Sequence, residues 1–345
     1  MDNRLAIFDS FRGLSIALIV AAHTFYVEPD LYQINKFDEA FISVLSGTTG
    51  LFVFISGFFF HFVFYGRMSY VGFIKKKFLA IGVPFLLITT FFVLVGYLVL
   101  GRVPGVSISN INLYYEFLRI YFMTGLFTAH WYIPFAALLF LLTPLFNYYI
   151  SLKNKSKLYL LIFLSIFPFF SGRPSDANIF HEFLYFCPFY LLGIYVSMNR
   201  EFLFRFLNGH YTLFLVLMLF FVFLQIFFTG VVGNLRKDLI FSFEGIDLVF
   251  IQKIMMCLFF VGWIGSSKIK DSKFLRMLAD MSFGVFFIHG IVLLLQKEIG
   301  YYEVVIISGG IYGSLNFLIV MGISLFVVYV TKRVLGRNSR FLIGY

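Results

Sequence analysis

Long apolar runs, each ended by a short polar or basic segment, set the pattern of this chain from one end to the other. About ten such runs approach the roughly 20 residues that a helix needs to cross a bilayer core. They cover 9–27, 40–64, 79–100, 130–150, 158–171, 181–198, 211–229, 246–264, 281–297 and 303–330, the fifth being short and the tenth long. The pattern predicts an all-α, polytopic integral membrane protein with about ten transmembrane helices. It is read as a single membrane-embedded domain over 1–345, with no fused soluble domain.

Ten crossings put both termini on one side, and the loop charges say which. One alternating set of loops carries Arg4, Arg67, Lys75–Lys77, Lys153, Lys155, Lys157, Arg200, Arg205, Lys268, Lys270, Lys273, Arg276, Lys332, Arg333, Arg337 and Arg340, eighteen basic residues. The opposite set carries seven: Lys36, Arg102, Arg119, Arg173, Arg236, Lys237 and Lys297. Basic loops stay cytoplasmic, so a multi-pass membrane protein with both termini in the cytoplasm is expected. The longest piece between spans, "GRVPGVSISNINLYYEFLRIYFMTGLFTA", falls outside; Tyr114, Phe117, Leu118 and Tyr121 share one helical face there, as in an interfacial or re-entrant segment.

Composition agrees with the pattern. Hydrophobic residues make up 61% and charged residues 13%, against about 45–50% and about 25% in soluble proteins. The loop asymmetry accounts for most of the +10 net charge, so no nucleic-acid partner is expected. Cys187 and Cys257 lie in apolar runs without CxxC or metal-ligand spacing and read as buried small hydrophobes; no metal and no permanently bound cofactor is expected. Asp9 and Arg12 interrupt the stretch where a cleavable signal would be apolar, so the first helix is expected to remain as an anchor.

Polar groups inside the apolar runs are costly there and mark candidate functional positions. In "RGLSIALIVAAH", Arg12 and His23 are eleven residues apart, roughly 16 Å along a helix and close to three full turns. Both therefore fall on one face, Arg12 toward the cytoplasm and His23 toward the outer end. Arg12 either snorkels and pairs with Asp9 or serves a site; His23 is either structural or reactive. Lys75, Lys76 and Lys77 either anchor a helix on anionic lipid or hold a polyphosphate. His130 and Trp131 open a helix at the outer interface, His289 lies deep in "MSFGVFFIHG", and Lys253 is a further buried cation.

The order of these segments resembles that of the membrane acyltransferase-3 family, bacterial enzymes that O-acylate surface polysaccharides. "FDSFRGLSIALIVAAH" is similar to the family's opening helix, and "GLFVFISGFFF", with Ser56, to its F-x-x-SGF helix. "FIKKKFLAIGVPF" resembles its basic loop, "HWYIPFAALLFLLTPL" its H-x-W-like helix, and "MSFGVFFIHG" its S-Y-x-x-Y-x-x-H element. The chain departs from the pattern in three places. Lys75–Lys77 replace arginines, His130 is directly beside Trp131, and Phe283 and Phe286 stand where tyrosines are usual.

The resemblance implies an acyl-CoA donor, most often acetyl-CoA, taken from the cytoplasm. It also implies a lipid-linked or polymeric glycan acceptor at the outer face. Arg12, Lys75, Lys76 and Lys77 would then bind the donor, and His23 would act as general base or accept the acyl group itself. Asp9, Ser56, His130, Trp131 and His289 would support or line the path, with Glu28, Tyr114, Tyr115 and Tyr132 on the acceptor side. A polysaccharide flippase or exporter without acyl transfer is the rival reading, and an accessory membrane subunit a third. Membrane lipid is an expected partner; acyl identity, acceptor and oligomeric state are not read from the sequence.

Overall fold

The computed structural model describes residues 3–25, 35–100, 120–121, 127, 129–175, 178–243, 245–301 and 309–344. Its helices are α1 (Asn3–Thr24), α2 (Lys36–Leu45), α3 (Thr49–Phe59, continued by a wider turn over Phe60–Phe64), α4 (Tyr70–Lys77) and α5 (Val83–Leu100). Then follow α6 (Tyr132–Leu141), α7 (Thr143–Ser151), α8 (Asn154–Ser171), α9 (Ile179–Met198), α10 (Arg200–Leu224), α11 (Leu248–Ser266), α12 (Lys273–Glu298), α13 (Gly309–Leu335) and α14 (Ser339–Ile343). Two short strands, β1 (Arg173–Pro174) and β2 (Arg236–Lys237), pair in parallel between helices.

Several starts are written in the local sequence. The side chains of Asn35, Ser69, Asn178, Asp247 and Ser272 accept backbone N–H groups of α2, α4, α9, α11 and α12 respectively. Each satisfies donors that a helix start leaves unpaired.

Among the described residues, eight helical segments are long and apolar enough to cross a membrane, and the bent pair α6 and α7 brings the number to nine. The chain is an all-α polytopic membrane protein. The expected span 130–150 is broken by a 54° bend. Pro144 lies in the first turn of α7 and cannot bond the carbonyl of Phe140; the Thr143 hydroxyl donates to that carbonyl instead, at 2.6 Å. The expected span 158–171 is the apolar part of α8, whose first turn is Asn-Lys-Ser-Lys and which is not one of the eight.

α1 is the central helix. Phe8 and Phe11 pack into a core shared with α3, α9 and α11, whereas Ile16 and Val20 join a second core built from α5, α12 and α13. Close crossings fix this arrangement. A Cβ at Gly13 would run into the backbone carbonyl of Leu275 on α12. Gly57 on α3 and Gly193 on α9 face the backbone of Tyr190 and Phe54, a reciprocal contact. Without a hydrophobic drive between helices in lipid, such backbone approach supplies the packing energy.

Candidate active site

In α1, whose first half meets the basic loop after α11, the residue near the midpoint is Arg12. Its Nη2 lies 3.4 Å from Asp9 Oδ1, and its Nε is buried without a partner. The neighbouring Ser10 hydroxyl donates to the carbonyls of Ile269 and Lys270, at 3.2 and 3.1 Å, which ties the start of α1 to Lys268–Asp271. Lys75 and Lys76 are exposed on α4. Lys77 differs: its ammonium sits 4.8 Å from the centre of the Phe64 ring, 5.0 Å from Phe140 and 5.6 Å from Phe73. Three aromatic faces hold this cation by cation–π attraction, and it packs α4 against α6.

At the C-terminal end of α1, three histidines from distant segments converge. The His23 ring lies 5.5 Å from that of His289, on α12. His289 is fully buried, and its Nδ1 donates to the Val285 carbonyl at 2.9 Å. A carbonyl only accepts, so Nδ1 carries the proton and Nε2 offers a lone pair; Nε2 has no partner. His130, in the turn before α6, is buried with neither ring nitrogen paired. Its walls are Phe127 at 4.6 Å, Phe85 and Phe287 at 5.7 Å, and Phe286 at 6.3 Å. Phe286 also lies 6.1 Å from His289 and so joins the two rings.

The same end carries more polar groups. The Tyr132 hydroxyl faces Ser56, so that α6 meets α3 there. Trp131 lies beneath the Arg173 guanidinium at 4.6 Å and beside Phe186 at 5.7 Å. Arg173 donates through Nε and Nη2 to one oxygen of Glu182, at 3.3 and 3.2 Å. The β1–β2 pairing sets Arg173 beside Arg236. Buried imidazoles with free nitrogens can take and return protons, and unpaired polar atoms at such burial are costly. Among the described residues, no group of three or more His, Cys, Asp or Glu could hold a metal ion.

A family model described as an acyltransferase domain matches residues 5–333. The chain belongs to the acyltransferase-3 family. The protein is accordingly an acyltransferase embedded in a membrane. No curated protein and no solved structure matches it.

Within this acyltransferase, the structure brings His23, His130, His289, Ser56, Trp131 and Tyr132 together, and pairs Asp9 with Arg12 in the first half of α1. Lys75–Lys77 form a separate group around Phe64 and Phe140. Glu28, Tyr114 and Tyr115 lie outside the described residues. Sequence reasoning missed Arg173 and Glu182. The signal was a carboxylate in the first turn of an otherwise apolar helix, "NIFHEFLYF", nine residues after an arginine. Lys253, an open candidate, is a structural cation: it donates to the carbonyls of Ser43 and Val44 at 3.3 and 2.7 Å, the C-terminal end of α2.

Proposed function

We propose that the protein transfers an acyl group, acetyl before others, from cytoplasmic acyl-CoA to a hydroxyl of an extracytoplasmic cell-surface polysaccharide. The observation that carries this reading is the His23–His289 pair at the C-terminal end of α1, about three turns beyond Arg12 on the same helix. One helix thus carries both a cation suited to donor phosphates and a histidine pair suited to proton transfer. The basic loops point to the cytoplasmic side of an inner membrane, with both termini there.

In this reading Arg12, Lys75 and Lys76 hold the nucleotide phosphates, and the extended arm of the donor carries its thioester toward His23. Lysines bind phosphate as point charges, without the fork of arginine. His23, as general base, takes the proton of the acceptor hydroxyl. The oxygen attacks the thioester carbonyl, the carbon–sulfur bond breaks, and the thiolate leaves as CoA–SH after taking that proton. The unpaired Nε2 of His289 supports the proton on the neighbouring ring. The alternative route has His23 attack the thioester first, form an acyl-imidazole with loss of CoA, and pass the acyl group to the hydroxyl.

The test is CoA release by protein in liposomes, with labelled acetyl-CoA on the cytoplasmic side and crude bacterial envelope glycan on the other. Release by the wild type, lost in a folded His23→Ala variant, is the expected result. A folded, correctly oriented wild type that releases no CoA sinks the proposal and favours export of the glycan. Label retained on the protein without acceptor selects the covalent route.

A further inference from the structure

The Arg173–Glu182 pair has no part in that chemistry, yet it is built like a binding site. Glu182 is 4% exposed, and only its Oε1 is engaged, by Arg173. Its Oε2 is buried with no partner. A buried carboxylate oxygen without a donor is an expensive feature to keep. The guanidinium sits against both Trp131 and Phe186, at 4.6 and 5.5 Å from their ring centres, and its Nη1 is not used in the bonds to Glu182.

Ring contacts connect this pair to the histidines. Trp131 lies 6.1 Å from Tyr132, Tyr132 5.6 Å from Phe286, and Phe286 6.1 Å from His289. A carboxylate oxygen that lacks a donor, beside a guanidinium whose Nη1 is not committed to Glu182, matches adjacent sugar hydroxyls: one donates to Glu182 and the next accepts from Arg173.

We propose that Arg173 and Glu182 form the acceptor subsite, holding a pyranose through two neighbouring hydroxyls while a third is presented to His23. The identification of the ligand as a sugar rests on the acyl-transfer reading above; the unpaired Oε2 of Glu182 beside the guanidinium does not.

The protein carries its own reporter. It has two tryptophans, and Trp263 is packed on α11 against Phe259 and Phe260, so Trp263→Phe leaves Trp131 as the sole indole. Its fluorescence is followed while methyl glycosides of the common hexoses and N-acetylhexosamines are titrated singly into detergent-solubilised protein, with no acyl donor present. A saturable change for at least one glycoside is expected, weakened about tenfold or more by Glu182→Gln, the loss expected for a hydrogen bond to a charged group. If Glu182→Gln fails to fold, Arg173→Lys, which keeps the charge and loses the fork, takes its place with the same expectation.

No response from Trp131 to any glycoside overturns the subsite. So does a response of equal midpoint in the variant. Because this titration needs no donor, glycoside binding without CoA release would remove the acyl-CoA reading and leave the subsite, and the converse pattern would do the reverse.

Discussion

Gly13 lies where α1 crosses α12, one residue from Arg12 and ten from His23. A methyl group added there enters the van der Waals shell of the Leu275 carbonyl oxygen, 2.9 Å from the carbonyl carbon and 3.2 Å from the Ala279 nitrogen. All three atoms are helix backbone, so no side chain can rotate away; the helices themselves must part. Restoring ordinary contact requires about 1 Å of displacement, and overpacking of this kind costs about 1–3 kcal/mol. His23 rides on one of the two helices and His289 on the other, so the displacement reaches their 5.5 Å pairing. A misplacement of about 1 Å in a reacting constellation costs roughly a hundredfold in rate. Gly13→Ala is therefore expected to fold, to unfold at a lower temperature, and to release CoA roughly a hundredfold more slowly. Gly322→Ala on α13 is the control: nothing lies within 4 Å of its added methyl, and alanine improves helix propensity by about 1 kcal/mol. CoA release in liposomes and thermal unfolding in detergent decide the matter. A folded Gly13→Ala protein with the wild-type rate would refute the claim that the α1–α12 crossing sets the site.

Three further outcomes follow from side-chain environments. Lys77→Met, which retains an apolar stem inside the aromatic box, is expected to leave the KM for acyl-CoA near wild type, whereas Lys75→Ala combined with Lys76→Ala raises it; a steep rise for Lys77→Met alone would restore Lys77 as a donor ligand. His289→Gln is expected to lower kcat by about a hundredfold or more, in the range of lost acid–base catalysis, with donor KM little changed; an unchanged kcat would confine His289 to packing. Asp247, outside the span it caps, has its carboxyl pushed up to about 6, because burial outweighs the hydrogen bonds from Tyr185, Asn234 and the backbone. That value lies above the unfolded one, so the stability it contributes is full below about pH 4 and fades as pH rises through about 6. This amounts to about 3 kcal/mol at most. The unfolding temperature should fall over that window, and Asp247→Asn should flatten the fall.

The bundle was legible because bilayer thickness and apolar run length are tied directly: spans such as 79–100 and 181–198 coincide with α5 and α9 to within a few residues. The bend inside 130–150 was less visible, since the run stays apolar across Leu141–Pro144 and only the proline marks the break. For the site, a spacing of eleven residues sets Arg12 and His23 about three turns apart on one helix, but periodicity within a helix says nothing about which distant helix faces it. That His289 Nε2 is unpaired beside His23 depends on the α1–α12 crossing at Gly13. Lys77 shows the limit from the other side: three consecutive lysines are alike in sequence, and the positions of Phe73 and Phe140 separate the third from the first two, since Lys76 also lies over Phe64.

These contacts give α1 a mechanical role as well as a chemical one. Its first half packs through Phe8 and Phe11 into the α3, α9 and α11 core, and its second half through Ile16 and Val20 into the α5, α12 and α13 core. Each core supplies one partner of the histidine end. Trp131 and Glu182 belong to the side of α6 and α9; His289 and Phe286 belong to α12. Any relative motion of the two cores would therefore change the distance between Glu182 and His289 while α1 remains continuous between Arg12 and His23. Donor handling along α1 would be preserved, and acceptor placement against His23 would be what such a motion alters. A cross-link between α3 and α12 should then affect dependence on glycan concentration more than dependence on acyl-CoA. Equal effects on both would mean that the two cores act as one rigid body during turnover.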